Sequence, residues 1–333
     1  MNRTPAVAGV LAVCAVALLL WSSNRPGEPT QVIVPPGATL SSVADTLAAR
    51  GIIRGRTLFE LYARARRADR KIKAGRYELA SNSSWAATLG RITRGEVVTE
   101  PMTIPEGFTV AQMVPRIAEA TGATPDSVEA LLADPELESE LGVPGPGVEG
   151  YLFPDTYLFA GGVPVSEVLR AMAERYHAMW TPERRARLAE LGMTEQEVVT
   201  LASIVQAEAR RMEEMPRIAG VYHNRLELGW LLEADPTVLY ALGGYRERLL
   251  YAAIDSVADN PYNTYRQGGL PPGPIGAPGE AAIDATLHPR DDYLFFVARP
   301  DGSHVFTRSL AEHNQARADI RGRSAGAGPR GSE

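Results

Sequence analysis

The sequence predicts an α+β protein with three structured parts. These are an N-terminal transmembrane helix within residues 1–25, a small α+β module over 26–100 and a larger mixed α+β domain over 101–323; a disordered tail follows at 324–333. Three observations predict this. Thr4 to Asn24 carries no charge, and a helix of about 20 such residues crosses a bilayer. Downstream, stretches of helical period with N-cap signals alternate with a few short β-branched or aromatic runs. The chain has 333 residues, of which 45% are hydrophobic and 22% charged. Those proportions exclude a wholly disordered chain, and the length allows two domains.

The first 25 residues read as an uncleaved anchor. Ala6 to Trp21 is continuously apolar or small, Trp21 sits where an interfacial aromatic would, and Arg3 with the free amine favours a cytoplasmic N-terminus. The alternative is a cleaved signal peptide, but Trp21, Ser22 and Ser23 after Leu20 form no small-x-small cleavage site. The body is therefore expected outside the cytoplasm. Cys14 is the only cysteine, which excludes an internal disulfide and a Cys-based zinc site. The histidines lack ligand spacing, so no metal is expected. A net charge of −6 argues against a dedicated nucleic-acid binder.

In the module, Gln31–Val34 is strand-like, Pro35 to Gly37 makes a turn, and Leu40, Val43, Ala44 and Leu47 follow helical spacing. Thr57-x-x-Glu60 predicts a capping box opening a second helix. Ala74–Leu79 reads as a returning strand and Ser84–Arg94 as a short helix. Arg50 to Arg76 holds ten basic residues, either a solvated face or an attraction to anionic headgroups or an anionic wall polymer.

In the larger domain, Thr109-x-x-Gln112 caps a helix and Thr124-Pro125 starts another. Glu149–Tyr157 is aromatic and strand-like. Val165–Trp180 has a helical period, and Thr181-Pro182 opens the next helix. Thr194-x-x-Glu197 caps a helix over 195–212, and Met215–Leu228 forms another, ended by Gly229. Asp235-Pro236 starts a short one. Residues 259–279 are a long loop rich in Asn, Tyr, Pro and Gly, a length usually kept for function. Tyr293–Ala298 and His304–Phe306 form a hairpin around Pro300–Gly302, and Ser309-x-x-Glu312 caps a final helix.

The helix over 195–212 carries the most informative residue. At about 100° per residue, Val198, Leu201, Ala202, Val205, Ala209 and Met212 share a face, Glu208 falls within that stripe and Gln206 points away. A carboxyl on an apolar face has a raised pKa, as a general acid needs. The competing reading is a structural Glu paired with Arg211 or Arg225. Tyr151, Tyr157, Tyr262, Asn263 and Tyr265 suit sugar recognition, by ring stacking and amide bonds, or else anchor loops. No G-x-S-x-G, G-x-x-x-x-G-K or H-E-x-x-H occurs.

Eight ordered segments carry a resemblance. They are EGYLFPDTY (149–157), LASIVQAEA (201–209), HNRL (223–226), DPTVLYALG (235–243), NPYNTY (260–265), GLPPGPIGAPG (269–279), HP (288–289) and the HVF…EHN ending (304–314). Over nearly its whole length the chain resembles the endolytic murein transglycosylases (MltG, YceG-like). The resemblance implies a single-pass protein of the inner (plasma) membrane with a periplasmic or extracytoplasmic body. It also implies a LysM-like module at 26–100 and a transglycosylase domain at 101–323. The family's A-S-I-V-E-x-E helix places the catalytic glutamate at Glu208, while the first Glu of that pair is Gln206 here. The implied reaction is lytic cleavage of the β-1,4 bond between N-acetylmuramic acid and N-acetylglucosamine, closing a 1,6-anhydro ring and terminating nascent strands. Tyr151, Asp155, Asn263 and Tyr265 would line the cleft, and no cofactor is needed. Implied partners are glycan strands, the membrane and the wall-synthesising penicillin-binding proteins. The alternatives are a hydrolytic muramidase using Asp235 or Asp155 as second carboxylate, and a non-catalytic glycan-binding scaffold.

Overall fold

A computed structural model describes residues 27–244 and 251–326. The chain divides into two compact units, one reaching to Pro101 and including Leu158–Val163, the other comprising Met102–Tyr157 and everything from Pro164.

The first unit runs β1 (Pro29–Val34), α1 (Leu40–Ala49), α2 (Arg56–Ala65), β2 (Gly75–Ala80), α3 (Trp85–Arg94). The strands are antiparallel, with Val32 opposite Tyr77. Strand alternation turns Val32, Val34, Tyr77 and Leu79 inward, onto Leu40, Val43, Leu47 and Phe59 of the helices. The Tyr77 hydroxyl is satisfied inside, donating to the Lys73 and Ile92 carbonyls at 2.7 and 3.2 Å. The expected cap at Thr57 is not the start of α2. The helix begins one residue earlier behind a left-handed Gly55, and Glu60 is engaged by Arg56 and Arg64 one turn to either side. Strand β3 (Thr99–Thr103) pairs with β4 (Thr156–Ala160), and the division between the units runs through both strands.

The second unit contains α4 (Val110–Thr121), α5 (Pro125–Leu132), α6 (Pro135–Leu141), α7 (Val165–Met179), α8 (Pro182–Leu191), α9 (Glu195–Glu208), α10 (Met215–Glu227), α11 (Asp235–Ala241), α12 (Tyr251–Ser256) and α13 (Glu280–Leu287). The hairpin β5 (Phe295–Ala298)–β6 (His304–Thr307) and α14 (Leu310–Gly326) follow. The capping boxes at Thr109 and Thr194 form as predicted. Helix α9 is the axis of the core. Val198 through Val205 are all buried, with α10 and α13 packed against them. Its central two turns are therefore enclosed on every side, not amphipathic with one wet face.

Several expectations are corrected. The 195–212 helix stops at Glu208, Ala209 is extended, and Met212 lies exposed in a 3-10 turn where Arg211 reaches Asp301 at 3.3 Å. Glu149–Asp155 is turn, bend and irregular backbone; the strand proper is Thr156–Ala160. Helices α6, α12 and α13 escaped the sequence reading, and α14 continues to Gly326, past the expected start of the tail. The fold class is corrected as well: it is α+β with helices and small sheets. No helix among the described residues is long and apolar enough to cross a membrane. The longest, α14, has 17 residues and a polar sequence, against the roughly 20 apolar residues a span needs. The segment assigned to the anchor, residues 1–25, lies outside the described residues.

Helix α10 closes on the 288–294 segment through Gly220, where a Cβ would overlap the Arg290 carbonyl oxygen, and the Arg290 N–H donates to the Pro216 carbonyl at 2.9 Å. Backbone cannot retreat as a flexible side chain can. Gly220→Ala is expected to destabilise the protein by about 1–3 kcal/mol, read as a lower urea midpoint.

Candidate active site

Glu208 is the last residue of α9, half-buried where the core helix ends. The Tyr222 hydroxyl, from α10, donates to its Oε1 at 3.1 Å. Tyr222 is itself buried, its ring edge-on to Phe296 at 5.9 Å. Neither arginine expected as a structural partner pairs with Glu208. Arg211 is taken by Asp301, and buried Arg225 donates to the Leu294 and Leu232 carbonyls at 2.9 and 2.7 Å and lies 3.6 Å from Glu233. Burial pushes the Glu208 carboxyl up to about 7, and the negative charge of Asp235 adds to the rise. The Tyr222 bond and the more distant Arg225 pull the other way.

Asp235 opens α11, and its Oδ1 accepts the Tyr265 hydroxyl at 2.5 Å. Tyr265 comes from the 259–279 loop. The segment bearing it is seated by the Thr264 hydroxyl, which accepts from the Ala234 N–H at 3.0 Å, and by the Thr264 carbonyl, which accepts from the Glu233 N–H at 3.1 Å. The far end of the loop is bonded to α9. Gln196 Nε2 donates to the Pro272 carbonyl at 2.7 Å, Ser203 Oγ accepts from the Ile275 N–H at 3.0 Å, and Gln206 Oε1 accepts from the Gly279 N–H at 3.1 Å. Gln206 thus has a structural task that an amide oxygen performs as well as a carboxylate would.

The residues singled out from the sequence fall in different places. Glu208 and Tyr265 come together around Asp235. Tyr151 is fully buried, edge-on to Tyr176 at 5.4 Å, which leaves no ring face for a sugar. Asn263 is also fully buried. Its Nδ2 donates to the Ile254 and Val257 carbonyls and its Oδ1 accepts from the Tyr265 N–H, so it shapes the loop from within. Asp155 belongs to an ionic chain in which Arg175 bridges Asp155 (2.8 Å) and Glu280 (2.5 Å), and Arg184 bridges Glu280 (2.9 Å) and Asp284 (2.8 Å). The sequence reading missed Tyr222, whose position in a helix of ordinary period gave no signal, and left Asp235 as an alternative catalyst. Among the described residues no cluster of His, Cys, Asp and Glu could hold a metal ion.

This arrangement makes a proton donor and acceptor of one carboxyl near neutral pH. Removing the Tyr222 hydroxyl removes a bond that favours the ionised form. Tyr222→Phe should therefore raise the Glu208 pKa by about one unit, read from the carboxyl stretch by infrared difference spectroscopy. A folded pKa of about 7 against 4.5 for the free group means that the folded state binds the extra proton. Its contribution to stability is complete below about pH 4.5, is lost as pH rises through 7, and stays lost above. Glu208→Gln is expected to be more stable than wild type at pH 8 by about 1–3 kcal/mol and nearly equal to it at pH 4.5, in urea titrations.

Known proteins share this chain's organisation. The model of the YceG-like family matches residues 32–319. The endolytic murein transglycosylase of Bacillus subtilis (strain 168) is 31% identical over 301 residues, 85% of this chain and 82% of that protein. The endolytic murein transglycosylase of Streptococcus pneumoniae (serotype 2, strain D39) is 29% identical over 318 residues; the match takes in 84% of this chain but 57% of the pneumococcal protein. A crystal structure of a yceG-like protein from Listeria monocytogenes aligns with a TM-score of 0.60 at 30% identity, covering 87% of this chain and 99% of that one. The chain belongs to the YceG-like family.

Proposed function

We propose that this protein is an endolytic lytic transglycosylase of peptidoglycan. It cuts the β-1,4 bond between N-acetylmuramic acid and N-acetylglucosamine within a glycan strand, in nascent material, and so limits strand length. The observation that carries this reading is Glu208, a carboxyl held near pKa 7 by burial with an uncharged hydroxyl as its hydrogen-bond partner. The curated relatives named endolytic murein transglycosylase support it.

Protonated Glu208 gives its proton to the glycosidic oxygen as the bond to the muramic anomeric carbon breaks. The resulting carboxylate takes the proton of the muramic C6 hydroxyl while that oxygen bonds to the anomeric carbon. The nucleophile is part of the substrate, so its effective concentration is very high and no activated water is required. The starting protonation state of Glu208 is restored at the end of the cycle. The negative charge of Asp235 beside it favours the protonated acid. The Asp235 carboxylate is also the feature that favours a hydrolytic second reading, in which it would activate water.

The first unit has the order strand–helix–helix–strand–helix, and it is proposed to serve as a LysM-like glycan-binding module. A groove of about 350 Å3 there is lined by Arg54, Tyr62, Asn82, Ser83, Ser84, Trp85 and Ala86. Two aromatic rings among amide and hydroxyl groups suit a sugar chain. Peptidoglycan lies outside the cytoplasmic membrane, and the catalytic body is proposed to act there.

Glu208→Gln should lower cleavage of purified glycan strands by about 100- to 10,000-fold with the fold retained. Wild-type products should carry 1,6-anhydro ends by mass spectrometry; ends heavier by one water would establish the hydrolytic reading instead. Activity should fall as pH rises through about 7, because the acid is then lost. Trp85→Ala, in the Glu208→Gln background, should weaken strand binding by about tenfold; unchanged affinity would remove the groove from the substrate path.

A further inference from the structure

A second carboxyl, Glu149, lies apart from the proton-transfer chemistry described above. The N–H of Val110, the first residue of α4, donates to its Oε1 and Oε2 at 3.0 and 3.2 Å. The capping box of α4 is already complete, with Thr109 accepting from the Gln112 N–H and the Gln112 side chain from the Thr109 N–H. Glu149 therefore serves a donor that the cap leaves over, at the positive end of a twelve-residue helix. On its other side, the Tyr240 hydroxyl of α11 donates to Oε2 at 3.4 Å, and the Tyr240 ring packs on Tyr262 with centroids 4.9 Å apart. The backbone beside Glu149 is pinned too. Gly150 has φ of 83°, and a Cβ there would overlap Pro274 of the long loop.

The titratable groups around Glu149 are Tyr240 and Tyr262, both uncharged at neutral pH, and among the described residues no cation forms an ion pair with it. Burial pushes its carboxyl up to about 7 against the pull of the Val110 N–H, the Tyr240 hydroxyl and the Gly150 N–H. Helix α11 is thus held at both ends. Asp235, at its start, accepts the Tyr265 hydroxyl and acts on Glu208; Tyr240, near its end, rests on Glu149.

We propose that Glu149 is a positioning residue of the transglycosylase site: by holding Tyr240 it seats α11, and so sets where Asp235 stands relative to Glu208. The proposal rests on the transglycosylase reading for its effect on turnover, but not for its effect on Glu208 itself. If α11 shifts, the Asp235 charge moves away and Glu208 ionises at lower pH. General loss of stability would lower the active fraction without moving that midpoint.

The test uses the full chain with Glu149→Ala, Glu149→Gln and Tyr240→Phe, each also made with Glu208→Gln so that the Glu208 carboxyl can be isolated by difference in the infrared. Glu149→Ala should reduce kcat by about tenfold with KM within about twofold. It should also shift both the alkaline limb of activity and the Glu208 midpoint down by about half a pH unit or more. Glu149→Gln keeps an acceptor for these donors. It should restore kcat to within about threefold of wild type and return the midpoint. Tyr240→Phe should move the midpoint in the same direction by less. A Glu208 midpoint unmoved in both Glu149→Ala and Tyr240→Phe overturns the proposal, whatever the rates; if Glu149→Ala does not fold, an unmoved midpoint in Tyr240→Phe does so alone. A wild-type protein that cleaves no glycan would end the transglycosylase reading, and the infrared midpoints would still decide the role of Glu149.

Discussion

The chemistry proposed for this protein depends on the cost of placing one carboxylate where water cannot fully solvate it. Glu208 is the terminal residue of a helix whose central turns are enclosed by the core. The helix ends half-buried, where the core meets the surface. Its last side chain emerges among Tyr222, Asp235 and the carbonyl-bound Arg225. A cation paired directly with Glu208 would have kept it ionised and useless as an acid. The two arginines that the sequence offered as partners are spent elsewhere, one on an aspartate of the hairpin turn and the other largely on backbone carbonyls.

The same helix organises the loop that faces the site. Gln196, Ser203 and Gln206 each direct a side chain at loop backbone, at Pro272, Ile275 and Gly279. Polar groups in a core helix are tolerated when each is hydrogen-bonded, and here each bond also fixes a stretch with no repeating structure of its own. Asn263 does the equivalent work from inside the loop, with its amide engaged on both sides. A loop so anchored can hold Tyr265 against Asp235 without strands on either side.

Much of the fold was legible because its signals are local. Capping boxes at Thr109 and Thr194, Pro at the first turn after Thr124 and Thr181, and the alternation of Val32 and Val34 act within a few residues of where they are read. The misses share one cause. Met212 fitted the period of α9, but a period does not say where a helix stops, and the chain leaves the helix at Ala209. Tyr151 and Asn263 have the chemistry of sugar-binding residues, yet both are consumed by packing and by loop bonds.

By itself the sequence determined the mixture of helices and short strands and most helix starts, and it singled out the carboxyl at position 208. Hydrophobic period and capping chemistry are properties of neighbouring residues, so they survive in one dimension. Only the tertiary structure decided what surrounds that carboxyl: Tyr222 from the next helix, Asp235 and Tyr265 from segments farther along, and Glu149 bracing the same short helix from the other end. The ionisation of a buried group is the sum of burial and of charges and donors brought from distant points of the chain, and no local pattern encodes that sum.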